Sequence, residues 1–484
     1  MFYFNKVNRY AKHNRRFKRV CIFVFLAFCL FVLSGSGLFQ LSFPNNDIRE
    51  VLPNNNRGIL IESASVPEPI LTHASGPQTA VLVMAATRQA ALKNHLDQLL
   101  KIRPSQALFP IIISQDGTTD SVTQLAAAYA NSSASIYFIH HKDRTGVGTP
   151  AQKAAKNYFY IAQHYKWALD RVFTEMRYET VIITEDDLDI SDDFFSYFTA
   201  TRRLLFEDQS LLCISAWNDN GAASVTDRSK SDLLYRTDFF PGLGWMLTSS
   251  VWKELSRNWP EAYWDDWLRR PEVRKGRSCI RPEVSRTAHN MKVAGKGSSN
   301  GLFKTFLSSI HLPDSPVDFS KVNVSILLKA EYDKALEESL NRAVLLTIEL
   351  LDGALNSSIV YKVIYKNPRE FRTIAKKFKL MSDIRSGMAR TAYYGIIPFM
   401  INGARIYAVH GNLNEIFLSN GTSSSAVYTS DWDRMTRFLE FQELYCRPGK
   451  WMGKCDPADS GMVDWFKKRN RMKLLKAWSD VIVN

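Results

Sequence analysis

The chain has 484 residues and a mass of 55.3 kDa, about three times the usual domain length of ~150 residues, so two or three packed units are expected. Hydrophobic residues at 45%, charged residues at 23%, and only 23 Gly and 18 Pro exclude a wholly disordered, low-complexity or collagenous chain. A formal charge of +14 ordinarily suggests nucleic acid or an anionic surface. Here Lys6, Arg9, Lys12, Arg15, Arg16, Lys18 and Arg19 supply half of that excess before the first apolar run. No stacking motif or zinc finger accompanies the charge, so no nucleic-acid partner is expected.

Residues 1–19 read as a cytoplasmic tail, because the uncharged run Val20 to Phe43 that follows is long enough to cross a bilayer and carries its positive flank on the N-terminal side. That is a signal anchor of type II topology, with the C-terminal bulk in a lumen. A cleaved signal peptide is the alternative, since the apolar core proper ends at Leu33 and the small-residue run Ser34 to Gly37 resembles a cleavage region. Leu38 to Phe43 stay apolar, which favours the anchor. Residues 44–78 mix Pro, Asn and Ser without period and read as an extended stem. Outside the anchor, Cys213, Cys279, Cys446 and Cys455 allow two disulfides in an oxidising compartment, and CRPGKWMGKC reads as a local staple between Cys446 and Cys455. Sequons stand at Asn131, Asn323, Asn356 and Asn420.

From residue 79 the pattern changes. AVLVMA reads as a buried parallel strand, ALKNHLDQLLKIRP as a helix with Leu92, Leu96, Leu99 and Leu100 on one face, and LFPIIISQD as a second buried strand. Asn157 to Phe173 reads as an aromatic-rich helix and TVIITEDD as a third strand running into acids. Strands alternating with helices predict an α/β fold, a mostly parallel sheet covered on both faces, with ligands gathered at the carboxyl ends of the strands. Arg88, Asp116 and the trio Glu185, Asp186 and Asp187 all fall just after such ends.

Three adjacent acids repel unless a cation or ligand is shared among them. Carboxylate oxygens suit Mg²⁺ or Mn²⁺; the competing explanation is an acidic helix start, since DDLDISDDFF also supplies first-turn acids. In Trp264-Asp265-Asp266-Trp267, paired acids stand beside flat apolar rings, where a sugar can stack and where desolvation can raise the pKa of a base. Core burial of the tryptophans and N-capping by the aspartates explain the same pattern.

Taken together, FPIIISQD, YIAQHYKWAL, EDDLDISDDFFSYF, CISAWNDNG, LLYRTDFFPGLGWML, YWDDWLRRPE and CIRPEVSRT closely resemble the N-acetylglucosaminyltransferase I family, near collinearly from about Val81 to about Val409. The resemblance implies a Golgi type II membrane enzyme with a glycosyltransferase-A, Rossmann-like fold, its nucleotide-sugar-binding part over 79–290 and a smaller C-terminal subdomain over 291–410. It implies that Asp187 binds Mn²⁺, that Asp186 contacts the nucleotide and Glu185 the donor sugar, and that Arg88, Asp116 and His164 hold the nucleotide-sugar. Ser299, in GKGSSNG, matches a donor-binding residue on a closing loop, and Asp265 matches the catalytic base. The implied reaction moves GlcNAc from UDP-GlcNAc to O2 of the α1,3-linked mannose of a high-mannose N-glycan, with inversion to a β-1,2 linkage. The acceptor is then the N-glycan of glycoproteins, and the membrane partner is the Golgi bilayer that receives the N-terminal anchor. A related enzyme acting on O-linked mannose, or a catalytically silent glycan-binding relative, are the alternatives.

The sequence also departs from the family. One of the family's disulfides has no counterpart, because Ala86 and Gly117 stand at its two positions; the other corresponds to Cys213 and Cys279. The loop expected at Ala288 to Gly295 is longer than the family's and differently composed. Residues 411–484 look like an added extension with a basic amphipathic helix around FKKRNRMKLLKAW, either solvated or core-docked, or else in contact with head groups or a partner.

Overall fold

The computed structural model describes residues 78–294, 303–348, 355–411, 428 and 431–482. The expected tail, the anchor at 20–43, all of the stem but Gln78, Ser299 and Asn420 lie outside those residues. No helix among the described residues is long and apolar enough to cross a membrane.

The framework is an eight-stranded sheet. Strands β1 (Thr79–Ala85), β2 (Ile111–Asp116), β3 (Ile136–His141) and β4 (Thr180–Glu185) run parallel in the order β3-β2-β1-β4. A short β5 (Leu188–Ile190) leaves this sheet, which continues through β6 (Leu211–Ser215), β7 (Leu234–Thr237), β8 (Trp245–Thr248) and β9 (Ser278–Pro282) in the order β8-β6-β9-β7. The pairings β4–β8, β8–β6 and β9–β7 are antiparallel, so the sheet is mixed but mostly parallel, as the alternation of strands and helices predicted.

Both faces of the sheet are buried, which is why its parallel strands are continuous apolar runs instead of alternating ones. Val81 and Val83 enter a core with Leu92, Leu96, Phe194 and Phe198 on one side. Leu82 and Met84 enter a second core with Tyr165, Leu169 and Trp252 on the other. Each fully buried large apolar side chain contributes roughly 1.5–3 kcal/mol. The helix Gln89–Ile102 presents Leu92, Leu96 and Leu99 to the first core, as its spacing required, while Leu100 is only partly buried. Its end at Ile102 follows from Pro104 two residues on. The aromatic helix runs over Lys156–Asp170 and closes in a wider turn, Arg171–Glu175.

Cys213 and Cys279 face each other across the parallel neighbours β6 and β9 and are bonded, as the resemblance implied. Closing a loop of 66 residues removes about 4 kcal/mol of unfolded-chain entropy. Cys446 and Cys455 also form the expected local staple.

Strand β10 (Thr287–His289) pairs with β5, so the stretch from Ala288, expected to be a loop, opens as a strand. Beyond it β11 (Val344–Leu345), β12 (Tyr361–Tyr365), β15 (Ile396–Ile401) and β16 (Ala404–His410) form a second sheet with its own core around Phe371, Ile374, Phe399 and Ile406. Between β12 and β15 lies a hairpin of β13 (Ile384–Arg385) and β14 (Met388–Ala389), turned by Ser386 at φ 51° and Gly387 at φ 77°. Left-handed values at both corners are those of the tight turn whose twist matches a hairpin.

The extension folds as three helices, Asp431–Tyr445, Ser460–Lys467 and Met472–Ile482. The single basic amphipathic helix read from the sequence is therefore two. Asn470, at φ 52°, breaks it, and the apolar side chains of both pieces, Met462, Phe466, Leu475 and Trp478, pack on Phe441 and Tyr445. The docked reading holds for those faces.

Candidate active site

The carboxyl edge of β1, β2 and β4 gathers the expected residues. Glu185 ends β4, and Asp186 and Asp187 form the turn into β5; the Asp186 N–H donates to Met84 O at 3.0 Å, which locks that turn to β1. Arg88, three residues beyond β1, reaches across. Its guanidinium donates to Asp187 Oδ2 at 2.5 Å and also pairs with Asp186. Burial opposes the charge of Arg88, but Asp186 and Asp187 hold its pKa above the ordinary value. Burial pushes Asp186 up to about 7 despite Arg88, and burial followed by the nearby Asp187 raises Glu185.

The remaining acids of this segment do structural work, which sorts the two explanations residue by residue. Asp189 accepts from Asn94, Gln98 and Asn290 at 2.9, 2.6 and 3.0 Å. Asp193 pairs with buried Arg286 at 3.2 Å. Asp187 differs: its Oδ1 is buried and has no hydrogen-bond partner among the described residues. That orphaned carboxylate oxygen beside Asp186 suits a hard divalent cation. No group of three His, Cys, Asp or Glu gathers around one point among the described residues. A cation there would draw most of its ligands from phosphate and water.

Asp116, at the end of β2, accepts from His141 Nδ1 at 2.9 Å and Arg144 Nη1 at 3.2 Å. Burial works to raise its pKa, and the His141 hydrogen bond with the nearby His164 and Arg144 outweighs this, leaving it below the ordinary value. His164 Nε2 lies 2.7 Å from Ser114 Oγ and its ring is parallel to that of His141. Burial lowers the His164 pKa to about 3, so the ring is neutral. Gly117 stands where the resemblance implied a lost disulfide. Its φ of 73° is left-handed, and a Cβ there would meet the Arg144 guanidinium at 3.3 Å.

The residue after His164 completes the crevice. Tyr165 OH donates to Glu185 Oε1 at 2.9 Å, and its ring stacks on Trp264 at 4.3 Å. Burial and the adjacent Glu185 keep this phenol protonated. Trp264 is itself buried and stacked with Trp245 and Trp259 at 5.9 and 5.7 Å, so the tryptophan is a core residue and not a sugar platform. The buried ring fixes the short helix Trp264–Leu268, and Asp265 on that helix keeps its carboxylate 42% exposed.

Asp265 Oδ2 accepts from Arg269 Nη1 at 2.9 Å, and the same nitrogen donates to Asp266 Oδ1 at 2.8 Å. The sequence suggested a base with a raised pKa. Burial does push Asp265 upward, but Arg269 overcomes it and the net shift is downward. Arg385, on β13, lies 3.8 Å from Asp266 Oδ2. Arg390 pairs with Asp219 at 2.5 Å and Asp383 at 2.9 Å and covers the ring of Phe303.

Arg88, Asp116, Glu185, Asp186 and Asp187 thus stand at one sheet edge; His164, on the helix that also carries Tyr165, meets β2 at Ser114, and Asp265 is joined to Glu185 through Trp264 and Tyr165. Ser299 lies outside the described residues; on its N-terminal side the Asn290 N–H donates to Asp187 O at 2.9 Å. Sequence reading passed over Tyr165, His141, Arg269 and Arg385. Tyr165 had one available signal, its place beside His164 on a helix rich in aromatics; the other three had none.

The sequence pattern of the GNT-I family matches residues 52–417. The alpha-1,3-mannosyl-glycoprotein 2-beta-N-acetylglucosaminyltransferase of Arabidopsis thaliana is 38% identical over 332 residues, covering 68% of this chain and 73% of that protein. Among solved structures, S. aureus TarS in complex with UDP is 14% identical with a TM-score of 0.31, over 55% of this chain and 71% of that one. A mannosyltransferase from Pyrobaculum calidifontis in complex with GDP-Man and Mn²⁺ is 13% identical with a TM-score of 0.26, over 39% and 48%. No residue correspondence is drawn from likenesses that low. The extent of the first two matches is decisive: the chain belongs to the GNT-I family.

Proposed function

We propose that this chain is an N-acetylglucosaminyltransferase that moves GlcNAc from UDP-GlcNAc to O2 of the α1,3-linked mannose of a high-mannose N-glycan, with inversion at C1. Family membership and the activity for which the Arabidopsis relative is named support the reaction. The observation that carries the mechanism is the link through Tyr165, which hydrogen-bonds Glu185 and stacks on the tryptophan next to Asp265. Donor-side acids and a solvent-reachable carboxylate therefore share one rigid support.

Asp265 takes the proton from the mannose 2-hydroxyl while that oxygen forms its bond to C1 and the bond from C1 to the diphosphate oxygen breaks. Both happen in one displacement, so the α-linked donor gives a β-linked product and no enzyme-bound sugar forms. Arg269 holds Asp265 ionised. A base weaker than usual is adequate because the hydroxyl becomes strongly acidic only as its bond to C1 develops. Asp116, neutral His164 and Arg88 bind and orient the nucleotide-sugar, and Glu185, kept in place by Tyr165, faces the sugar. Asp187, with its orphaned oxygen, would hold Mn²⁺, which when bound neutralises diphosphate charge as UDP departs.

The same reading has the catalytic portion in the Golgi lumen behind a type II anchor at 20–43. Its support is the cationic flank, the apolar run and two disulfides that need an oxidising compartment.

The test is transfer by residues 78–484 to a five-mannose N-glycan and, separately, to an O-mannosyl peptide, each with Mn²⁺ and with chelator. Mn²⁺-dependent transfer to the glycan alone is expected; modification of the peptide alone would overturn the acceptor assignment. Asp265→Asn is expected to lower the rate at least about a hundredfold with UDP-GlcNAc affinity retained, whereas Asp187→Ala weakens Mn²⁺-dependent donor binding. Equal loss of donor affinity in both variants would contradict the assigned roles.

A further inference from the structure

The family match ends at residue 417, yet the chain beyond it reaches back toward the reacting centre. The first helix of the extension, Asp431–Tyr445, carries Asp433. Its two carboxylate oxygens accept from the backbone N–H groups of Ser386 and Gly387 at 2.7 and 2.8 Å. Those two amides are the corner of the β13–β14 hairpin, and both residues have left-handed backbone values. Glycine takes such values freely, whereas serine takes them against the crowding of its Cβ. One carboxylate therefore clamps both halves of a corner that one of its residues resists.

The residue before that corner is Arg385, and what it faces gives the clamp a consequence. Arg385 Nη1 lies 3.8 Å from Asp266 Oδ2 and its Nε 3.5 Å from Asp383 Oδ2. Asp266 shares Arg269 with Asp265. On the far side of the hairpin, Arg390 pairs with Asp383 and Asp219 and covers Phe303. The corner thus stands between two arginines, Arg385 facing Asp266 and Arg390 paired with Asp219 and Asp383 and covering Phe303. The helix is held from behind, where Arg372 and Lys376 pair with Glu443 at 3.2 and 2.5 Å and Trp432 packs on the second core.

We propose that Asp433 is a positioning residue for glycosyl transfer: it holds the Ser386–Gly387 corner and thereby sets Arg385 against Asp266 and, through Arg269, the orientation of Asp265. The inference rests on the transferase reading above. It makes Asp433, a residue of the extension, part of the catalytic apparatus through the hairpin corner.

The experiment compares the full-length chain, solubilised, with Asp433→Ala and with the double variant Asp433→Ala/Ser386→Gly. In Asp433→Ala, amide exchange at residues 386 and 387 is expected to accelerate at least about tenfold and kcat to fall about tenfold, the scale of a small displacement near the reacting groups. UDP binding stays within about twofold, because the donor-side acids are untouched. In the double variant, glycine tolerates the left-handed corner without a clamp, and kcat recovers to within about threefold of the original chain. A role confined to docking the extension would not respond to Ser386→Gly, so loss of rate without recovery would overturn the proposal, as would unchanged exchange at the corner. Should Asp433→Ala fail to fold, Asp433→Asn keeps one acceptor oxygen and is expected to give an intermediate rate and exchange; values equal to the original chain would also overturn it. If the original chain transfers nothing, the transferase reading fails, while amide exchange still decides whether Asp433 holds the corner.

Discussion

Asp265 sits between two opposing influences, and their balance sets how its reaction responds to pH. Burial favours the protonated acid, and Arg269 at 2.9 Å favours the carboxylate and prevails. A base works only when ionised, so a pKa below the ordinary value carries the acid limb of kcat/KM toward lower pH. Arg269→Met removes the largest influence opposing burial, leaving only the Asp266 backbone N–H and the more distant Arg390 against it. Its acid limb is expected to move to higher pH, measured as the pH profile of transfer at saturating UDP-GlcNAc. A limb that stays in place would remove Asp265 from the role of base. The resemblance assigned Asp265 the role of base, while the local sequence suggested the opposite sign for its shift, because the paired tryptophans are visible in the local sequence while the net effect of one arginine four residues on depends on a helical turn holding both side chains together.

At the scale of elements, the turn between β7 and β8 shows how narrowly the crevice wall is built. Gly244 has φ 91°, and a Cβ on it would lie 2.6 Å from Thr287 Cγ2. Thr287 is fully buried at the start of β10, with its hydroxyl donating to Leu243 O, so it has nowhere to go. Gly244→Ala is expected to destabilise the fold by more than about 2 kcal/mol, read as a lower midpoint in urea unfolding with an unchanged slope. Strand identities here were legible because buried parallel strands leave unbroken apolar runs. The hairpin of β13 and β14 was not legible: its strands are two residues each, too short for any period, and its corner depends on an acid some 47 residues later. The two terminal helices read as one for a related reason. Their basic residues follow one another without a break, and the left-handed Asn470 has no signature apart from its residue type.

For the whole molecule, buried neutral histidines set a pH window. His95 is wholly buried between Leu188 O at 2.6 Å and Thr184 Oγ1 at 2.9 Å, and burial lowers its pKa to about 4. His164 falls to about 3 for the same reason. Between those values and the ordinary 6.5 the unfolded chain binds protons that the folded chain refuses. The contribution of these two histidines is therefore full above about pH 6.5 and declines as the pH drops, by roughly 1.4 kcal/mol per pH unit for each group, while Asp186, raised to about 7, works in the opposite direction because its folded form takes up a proton first. Urea unfolding at pH 7.5 and at pH 5.0 is expected to show a smaller loss of stability on acidification in His95→Gln than in the original chain, by about 2 kcal/mol. A fall unchanged in that variant would show that other groups control the acid response. The convergence of Arg88, Asp116 and the acid trio on one edge was legible from the ends of three strands. The tie among them was not, because it runs through a helix facing the sheet.

Asn290 is fixed to the acid turn through Asp187 O and Asp189, and Phe303 is fixed beneath Arg390. Between those two anchors the chain offers a natural interval for splicing. Replacing the residues between them by a segment of other length, with both ends kept, is the edit that leaves the contacts to the acid turn and to Arg390 in place.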